Sequence, residues 1–170
     1  MLRILYFVFS LIDLKDGYFQ VPLHSEDREK TTFLTPDNRL MQFKVMSQGY
    51  KNSPAIFQRG MRMVLERLIG KKCYNYLDDI SIFGENLSEH DENLRDVLDR
   101  LNSLNFLINE NKSIFRQSKI TFLSHKISLN EIEASLSIEQ AILDSPVPSN
   151  KKDLSGFSVL LIITVISFQL

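Results

Sequence analysis

The sequence predicts an α+β protein in which a sheet carries its helices on one face. Two observations predict this class. Apolar runs typical of strands alternate with two segments whose apolar residues recur at helical spacing. The order along the chain is strand, helix, hairpin, helix, strand. The chain has 170 residues, which corresponds to one ordinary domain or to a domain with a short appendage, and 44% of them are hydrophobic, which is enough to bury a core.

The first elements are a buried strand and a hairpin. The run LYFVFSLIDL is rich in aromatic and branched residues, and the turn residues KDG follow it, so we expect a buried strand whose last polar residue is Asp13. The charged stretch HSEDREK comes next. The segments TTFLT, PDNR and LMQFKVM then indicate strand, turn and strand, which predicts a hairpin.

The clearest helix start lies in NSPAIFQRGMRMVLERLIG. Ser53 can cap this helix, Pro54 suits its first position and Gly70 can end it. Its apolar positions recur at helical spacing: Ile56, Phe57, Met61, Val64, Leu65 and Leu68. Ser88 can cap a second helix. The apolar face of that helix consists of Leu94, Val97, Leu98, Leu101 and Leu104.

A second hairpin lies between the two helices. The segments CYNY and DISIF indicate its strands, and the residues Leu77, Asp78 and Asp79 lie at their junction. Beyond the second helix, KITFLSHKISL is again typical of strands. A formal net charge of −1 gives no basic signature, so any contact with nucleic acid must come from local patches. The single Cys73 excludes a disulfide within the chain and suggests a reducing compartment.

Three carboxylates are candidates for chemistry. Asp13 and the Asp78-Asp79 pair each lie at a strand end or hairpin turn, so a compact sheet can bring them to one edge. Carboxylates gathered in this way repel one another, and a hard divalent cation such as Mg²⁺ is their natural partner. Two such ions about 4 Å apart stabilise the attacking and leaving oxygens of an in-line phosphoryl displacement. The alternative is that Asp78 and Asp79 form only a solvated turn.

Three stretches resemble, in order and approximate spacing, the polymerase motifs of reverse transcriptases from long-terminal-repeat retroelements, above all the gypsy-type retrotransposons. They are SLIDLKDGYFQVPL, MSQGYKNSPAIFQRGMRMVL and YNYLDDISIF. SEHDENLRDVLDRL, NKSIF and TFLSHKIS match as well, so the resemblance extends from about Leu5 to about Phe157. It implies a reverse-transcriptase palm with a split βαβ, ferredoxin-like sheet. It also implies transfer of a deoxynucleotide from a dNTP to the primer 3′-hydroxyl of an RNA/DNA template–primer.

The resemblance implies roles for individual residues. Asp13, Asp78 and Asp79 are similar to the catalytic carboxylates that bind two Mg²⁺ ions, with Mn²⁺ as the alternative ion. Positions that bind the incoming nucleotide match Asp16, Gly17, Tyr18, Gln48 and Gly49. Of these, Tyr18 resembles the aromatic side chain that lies under the sugar and excludes a ribose 2′-hydroxyl. Template or primer contacts are implied for Pro54, Phe57, Gln58, Tyr76 and Leu77, and for the primer grip Phe122, Leu123, Ser124 and His125.

Four of these residues also have a plain structural interpretation. Tyr18 can be a core aromatic, Gly49 a turn residue, Gln58 a solvated helix residue and His125 a packing histidine. The chain also departs from the family pattern, which usually has proline at the position of Ser47 and glycine at that of Ser124.

The resemblance implies a domain organisation as well. Family members carry a longer fingers segment before the first motif, and thumb, connection and ribonuclease H segments after the last. We therefore expect a piece of a longer Pol polyprotein with incomplete fingers and thumb. The palm is expected at 1–145, with a fingers portion at about 22–47, and a divergent remnant of the thumb at 146–170.

Two other functions remain open at this stage. A catalytically inactive retroelement remnant, or a domesticated fragment, would bind nucleic acid or a partner without polymerising. The apolar end FSVLLIITVISFQL suggests a membrane anchor, but its 14 residues are fewer than the ~20 that a spanning helix needs. Membrane association is therefore the less favoured alternative, and the resemblance implies a cytoplasmic or nuclear location in a retroelement particle.

Overall fold

The computed structural model describes residues 6–129, 131–134, 144–146, 148–151 and 153–154. The strands are β1 (Val8–Asp13), β2 (Phe33–Leu34), β3 (Leu40–Met41), β4 (Cys73–Tyr76), β5 (Asp79–Gly84), β6 (Ile114–Gln117), β7 (Lys119–Phe122), β8 (His125–Ser128) and β9 (Glu131–Ala134). The α-helices are α1 (Ser53–Val64) and α2 (Leu87–Ser103), and two 3₁₀ helices span Gly17–Gln20 and Ser25–Thr31. The described helices include none that is long and apolar enough to cross a membrane.

A four-stranded sheet with the order β4-β5-β1-β6 forms the centre of the fold. Strand β5 pairs antiparallel with both β1 and β4, so β1 and β4 run parallel with β5 between them. Helix α1 connects β1 to β4, which makes this unit a split βαβ, and α2 connects β5 to the other edge strand, β6. The predicted α+β class with a ferredoxin-like sheet is confirmed.

The two helices pack on the same face of this sheet. Ile12 of β1 lies opposite Ile80 of β5, and both are fully buried. Both helices contribute side chains to the same buried cluster. Helix α1 provides Phe57 and Met61, Leu65 follows directly after it, and α2 provides Val97 and Leu101. Each such side chain contributes roughly 1.5–3 kcal/mol to stability when it is fully buried. The helices are therefore fixed against the strands that carry the acidic residues.

The opposite face of the sheet is covered in part by a second sheet, of order β7-β8-β9. Phe9 of β1 and Phe83 of β5 are paired in register and form a small buried cluster with Ile120 of β7. The segment KITFLSHKISL, which was predicted to form strands, forms the β7–β8 hairpin. Its two-residue turn, Leu123 and Ser124, has positive φ at both positions (50° and 61°), as in a type I′ turn.

Helix boundaries differ from the sequence predictions in three places. Ser53 is the first residue of α1 and not its cap, because the Asn52 carbonyl accepts the first helical bond, from the Ile56 N–H at 3.0 Å. The Ser53 hydroxyl donates to the carbonyl of Ser47. Helix α1 ends at Val64 and not at Gly70, although the buried Leu65 continues the apolar pattern. Helix α2 is capped by Asn86, whose side chain accepts from the Glu89 N–H at 2.9 Å, and Ser88 already lies inside the helix.

Other elements extend the predictions. The predicted hairpin in TTFLTPDNRLMQF is confirmed, with only two residues in each strand. The stretch HSEDREK forms most of a 3₁₀ helix, and NKSIF contributes to β6; neither was predicted. Most of the expected remnant at 146–170, including the whole apolar end at 157–170, lies outside the described residues.

Candidate active site

Two of the predicted carboxylates lie directly opposite each other in the central sheet. Asp13 ends β1 and Asp79 begins β5, and the two are cross-strand partners. Both are half-buried, and they share the sheet face that also carries Phe9 and Phe83. The backbone of Asp13 is held from the other side, because its N–H donates to Ser113 Oγ at 3.2 Å.

The third carboxylate lies in the turn that joins β4 to β5. Leu77 and Asp78 form this two-residue turn, since Tyr76 and Asp79 are paired. Leu77 has a positive φ of 52° and Asp78 does not, which is the pattern of a type II′ turn. The carbonyl of Asp78 accepts from the N–H of Leu14 at 3.0 Å. The turn is thus tied to the end of β1, next to Asp13.

The three carboxylates interact unfavourably. Partial burial raises the pKa of Asp79, and the neighbouring Asp78 and Asp13 raise it further. The positive charge of Lys112 opposes this shift. In the described part of the chain, no group of three or more His, Cys, Asp or Glu side chains is arranged to hold a metal ion by itself. The donor set nevertheless suits a hard cation, because Mg²⁺ needs only one or two carboxylates when substrate phosphates supply other ligands.

A pocket of about 240 Å³ opens beside these carboxylates. It is lined by Asp13, Leu14, Lys15, Asp16, Gly17, Tyr18, Gln48, Asp78, Asn109 and Lys112. The structure therefore brings together two of the three predicted catalytic carboxylates, Asp13 and Asp78 but not Asp79, and four of the five residues predicted to bind the nucleotide. The fifth, Gly49, follows Gln48 in the chain and has a φ of 91°, a conformation that favours glycine.

Asn109 and Lys112 were not singled out from the sequence. They reach the pocket because the segment after α2 is bonded to the end of β1: the Asn109 N–H donates to the carbonyl of Asp13 at 2.8 Å. The segment NKSIF, which contains Lys112, was noted for its resemblance but carried no assigned role. Only the non-local contact with β1 shows that this lysine faces the carboxylates.

Tyr18 is held in place by Phe57. Their rings stack with centroids 4.9 Å apart and planes inclined by 28°. Burial raises the pKa of the Tyr18 hydroxyl, and the nearby Asp78 adds to the shift. Gly17 permits this close packing, since a Cβ there would lie 3.0 Å from the Phe57 ring and 3.2 Å from the Asp78 Cβ. Asp16 precedes it in the left-handed region, with φ of 51°.

The residues predicted to contact template or primer lie in three places. Pro54, Phe57 and Gln58 belong to α1, where Pro54 is exposed, Phe57 is buried, and the Gln58 amide bonds to β4 and its turn. Tyr76 is exposed at the end of β4, beside Leu77. Phe122, Leu123, Ser124 and His125 lie at the β7–β8 turn, in a different sheet from the carboxylates, and Phe122 packs against the Phe9–Phe83 cluster.

Comparison with known proteins identifies the family of this site. A family model described as reverse transcriptase (RNA-dependent DNA polymerase) matches residues 3–127. The chain belongs to the reverse transcriptase family. Among curated proteins, it is 37% identical over 149 residues to the retrovirus-related Pol polyprotein from transposon opus and 35% identical over 140 residues to that from transposon gypsy, both of Drosophila melanogaster. The resemblance to gypsy-type retrotransposon polyproteins is confirmed.

These reverse transcriptase relatives are much longer than the chain. The matches cover 88% and 82% of the chain but only 15% and 13% of the two polyproteins. Solved structures of reverse transcriptases also match the fold of this chain. A foamy viral protease-reverse transcriptase in complex with double-stranded DNA superposes with a TM-score of 0.77 at 25% sequence identity. The match covers 95% of this chain and 28% of the viral one. The foamy viral protein in complex with an RNA/DNA hybrid gives a TM-score of 0.71 at 25% identity, over 91% and 21%.

Proposed function

We propose that this chain is the palm, with a small part of the fingers, of a retrotransposon RNA-directed DNA polymerase that joins deoxynucleotides to a primer 3′-hydroxyl. The observation that carries the proposal is the meeting of Asp13, Asp78 and Asp79 at one sheet edge, beside a pocket lined by the predicted nucleotide-binding residues. The foamy viral neighbours were solved with an RNA/DNA hybrid and with double-stranded DNA, which supports a template–primer as partner.

Asp13, Asp78 and Asp79 are the residues that would hold two divalent ions, Mg²⁺ or Mn²⁺. The pKa of Asp79 is raised first by burial and then by the negative charges of Asp78 and Asp13, and a bound cation would offset that repulsion. When bound, such ions stabilise the charge that develops on the attacking and leaving oxygens of phosphoryl transfer. By holding those ions, the carboxylates would set where the primer hydroxyl and the α-phosphate bind for in-line reaction.

The pocket residues bind and select the nucleotide. Lys15 and Lys112 line the pocket and provide positive charge for phosphate oxygens. Asp16 and Gly17 form the turn that binds the phosphates, and Gln48 with the adjacent Gly49 contacts the nucleotide. The stack on Phe57 fixes the ring of Tyr18, so that the ring blocks the space a ribose 2′-hydroxyl would need.

Template and primer bind outside the pocket. The start of α1, with the exposed Pro54, underlies the template, and the buried Phe57 supports it from within by packing on Tyr18. Tyr76, exposed beside Asp79, contacts the primer end. The β7–β8 turn acts as the primer grip through its backbone at Leu123 and Ser124. Phosphate and sugar contacts of this kind set the register of the duplex and do not read its sequence.

Primer extension on an RNA template with Mg²⁺ tests the proposal, with the full 170-residue chain. Wild-type protein is expected to add dNTPs, and Asp78→Asn to abolish addition. Asp99→Asn, at an exposed position of α2, makes the same change of charge away from the site and is expected to retain activity. Extension that survives Asp78→Asn would refute the carboxylate assignment. A cooperatively folded wild-type chain that binds template–primer without extending it would instead support a non-catalytic remnant.

A further inference from the structure

Two amide side chains enclose the turn that carries Asp78. Gln58 projects from α1 and Asn75 from β4, and both are half-buried. The Oε1 atom of Gln58 accepts from the Leu77 N–H at 2.6 Å, and its Nε2 donates to the carbonyl and to Oδ1 of Asn75, at 3.2 Å and 3.1 Å. The Nδ2 of Asn75 donates to the Leu77 carbonyl at 2.7 Å. We name this pair of residues, Gln58 and Asn75, the amide clamp.

Backbone partners fix the orientation of both amides. A backbone N–H can only donate, so the atom of Gln58 that faces Leu77 must be oxygen. A backbone carbonyl can only accept, so the atoms that face the carbonyls of Asn75 and Leu77 must be nitrogen. Both N–H groups of Gln58 are engaged in this arrangement, which leaves its amide one oxygen lone pair for any other partner.

The clamp acts on a strained position. Leu77 lies at a φ of 52°, a left-handed conformation that costs a non-glycine residue roughly 1–2 kcal/mol. Such a conformation persists only where the surroundings over-determine it. The clamp bonds to both the N–H and the carbonyl of Leu77, which are the backbone polar groups of the strained residue itself. The clamp therefore opposes the relaxation of Leu77 to a negative φ.

We propose that Gln58 and Asn75 are positioning residues that hold the Leu77-Asp78 turn, and with it the Asp78 and Asp79 carboxylates, in the geometry that the reaction needs. The proposal rests on the proposed function for its kinetic consequence, while its structural part stands by itself. Because Gln58 belongs to α1, the clamp also links the helix that underlies the template to the catalytic turn.

Hydrogen exchange and kinetics together test the clamp. In Gln58→Met, which keeps the length and apolar stem of the side chain, the amide of Leu77 is expected to exchange faster than in the wild type. For primer extension we expect kcat to fall by about 100-fold, the effect of a displacement of ~1 Å at a reacting group, with the KM for template–primer little changed. Gln58→Glu keeps the acceptor for Leu77 but replaces the donor to Asn75 with an oxygen, so it is expected to restore the protection of the Leu77 amide only in part.

A matched control and a double substitution complete the test. Asn102→Ala removes an exposed amide from α2 and is expected to change neither measurement. The effects of Gln58→Met and Asn75→Ala on Leu77 exchange are expected to be non-additive, because the two side chains bond to each other and to the same turn. Unchanged exchange at Leu77 in Gln58→Met would overturn the proposal. This readout needs no enzymatic activity, so it separates failure of the clamp from failure of the proposed function.

Discussion

Asp13 and Asp79 occupy opposing positions on adjacent antiparallel strands, with both side chains on the same face of the sheet. Like charges in directly opposite positions destabilise a sheet. The folded state therefore contains a repulsion between the Asp13 and Asp79 carboxylates, and removing it would make the protein more stable. Residues kept in spite of such a cost are typical of functional sites.

Asp79→Asn is expected to raise the Tm by a few degrees at pH 7. Burial and the neighbouring carboxylates raise the pKa of Asp79 above its unfolded value, so ionised Asp79 destabilises the folded state at neutral pH. This penalty is lost as the pH falls through the folded pKa and then the unfolded one, so the advantage of the variant should shrink between pH 7 and pH 4. Thermal melts of both proteins at these pH values measure it. A lower Tm for the variant at pH 7 would contradict the repulsion.

Sugar selection should depend on the ring of Tyr18. Tyr18→Ala is expected to increase the use of ribonucleotides relative to deoxynucleotides by about tenfold or more, since it removes the group that fills the space of the 2′-hydroxyl. Tyr18→Phe keeps the stack on Phe57 and should select as the wild type does. Single-nucleotide extension with dNTP and rNTP in parallel gives the ratio. An equal ratio in Tyr18→Ala and the wild type would exclude this role.

Two glycine-to-alanine substitutions should have opposite effects on stability. At Gly84, a Cβ would lie 2.5 Å from the backbone nitrogen of His90, so Gly84→Ala is expected to displace α2 and destabilise the fold strongly. Gly60 lies within α1 with nothing near its Cβ position, so Gly60→Ala is expected to stabilise by about 0.5–1 kcal/mol. Urea unfolding of both variants measures the difference. Equal destabilisation by the two changes would show that α2 is not packed as described.

The β7–β8 turn offers a stabilising substitution. Ser124 has a φ of 61° in this turn, where glycine is favoured. Ser124→Gly should therefore raise the free energy of unfolding by about 1 kcal/mol, because glycine adopts the left-handed conformation without strain. The reverse design, Gly70→Ser at a φ of 78°, should lower it. If Ser124→Gly destabilised the chain, the turn would not have the type I′ conformation.

Two positions of the site could be predicted from local patterns: Asp13 ends an apolar strand and Asp78 lies at a hairpin tip, so periodicity and turn chemistry placed both at sheet ends. The nucleotide-binding residues were implied by the family resemblance. The sequence could not show that Lys112 faces them, since this depends on a contact between the segment after α2 and the end of β1.

The helix boundaries and the amide clamp could not be predicted from the sequence, because they depend on a choice between similar residues or on contacts between distant segments. Asn86 and Ser88 are both residue types that cap helices well. The hydrogen bond from the Glu89 N–H to the Asn86 side chain shows that Asn86 is the N-cap of α2. Leu65 is fully buried although it lies just beyond α1, so apolar spacing overestimated the length of that helix. The amide clamp joins Gln58 to a turn 19 residues further along the chain, a relationship that helical spacing does not encode.

Nucleotide addition is expected to depend on the opposed carboxylates of Asp13 and Asp79. Single-nucleotide primer extension on an RNA template in Mg²⁺, comparing the wild-type chain with Asp13→Asn and with the charge-matched Asp99→Asn, measures this dependence. We expect addition by the wild type and by Asp99→Asn, and none by Asp13→Asn, while all three proteins unfold cooperatively. Addition by Asp13→Asn at the wild-type rate, or no addition by a folded wild-type chain, would refute a catalytic role for these carboxylates.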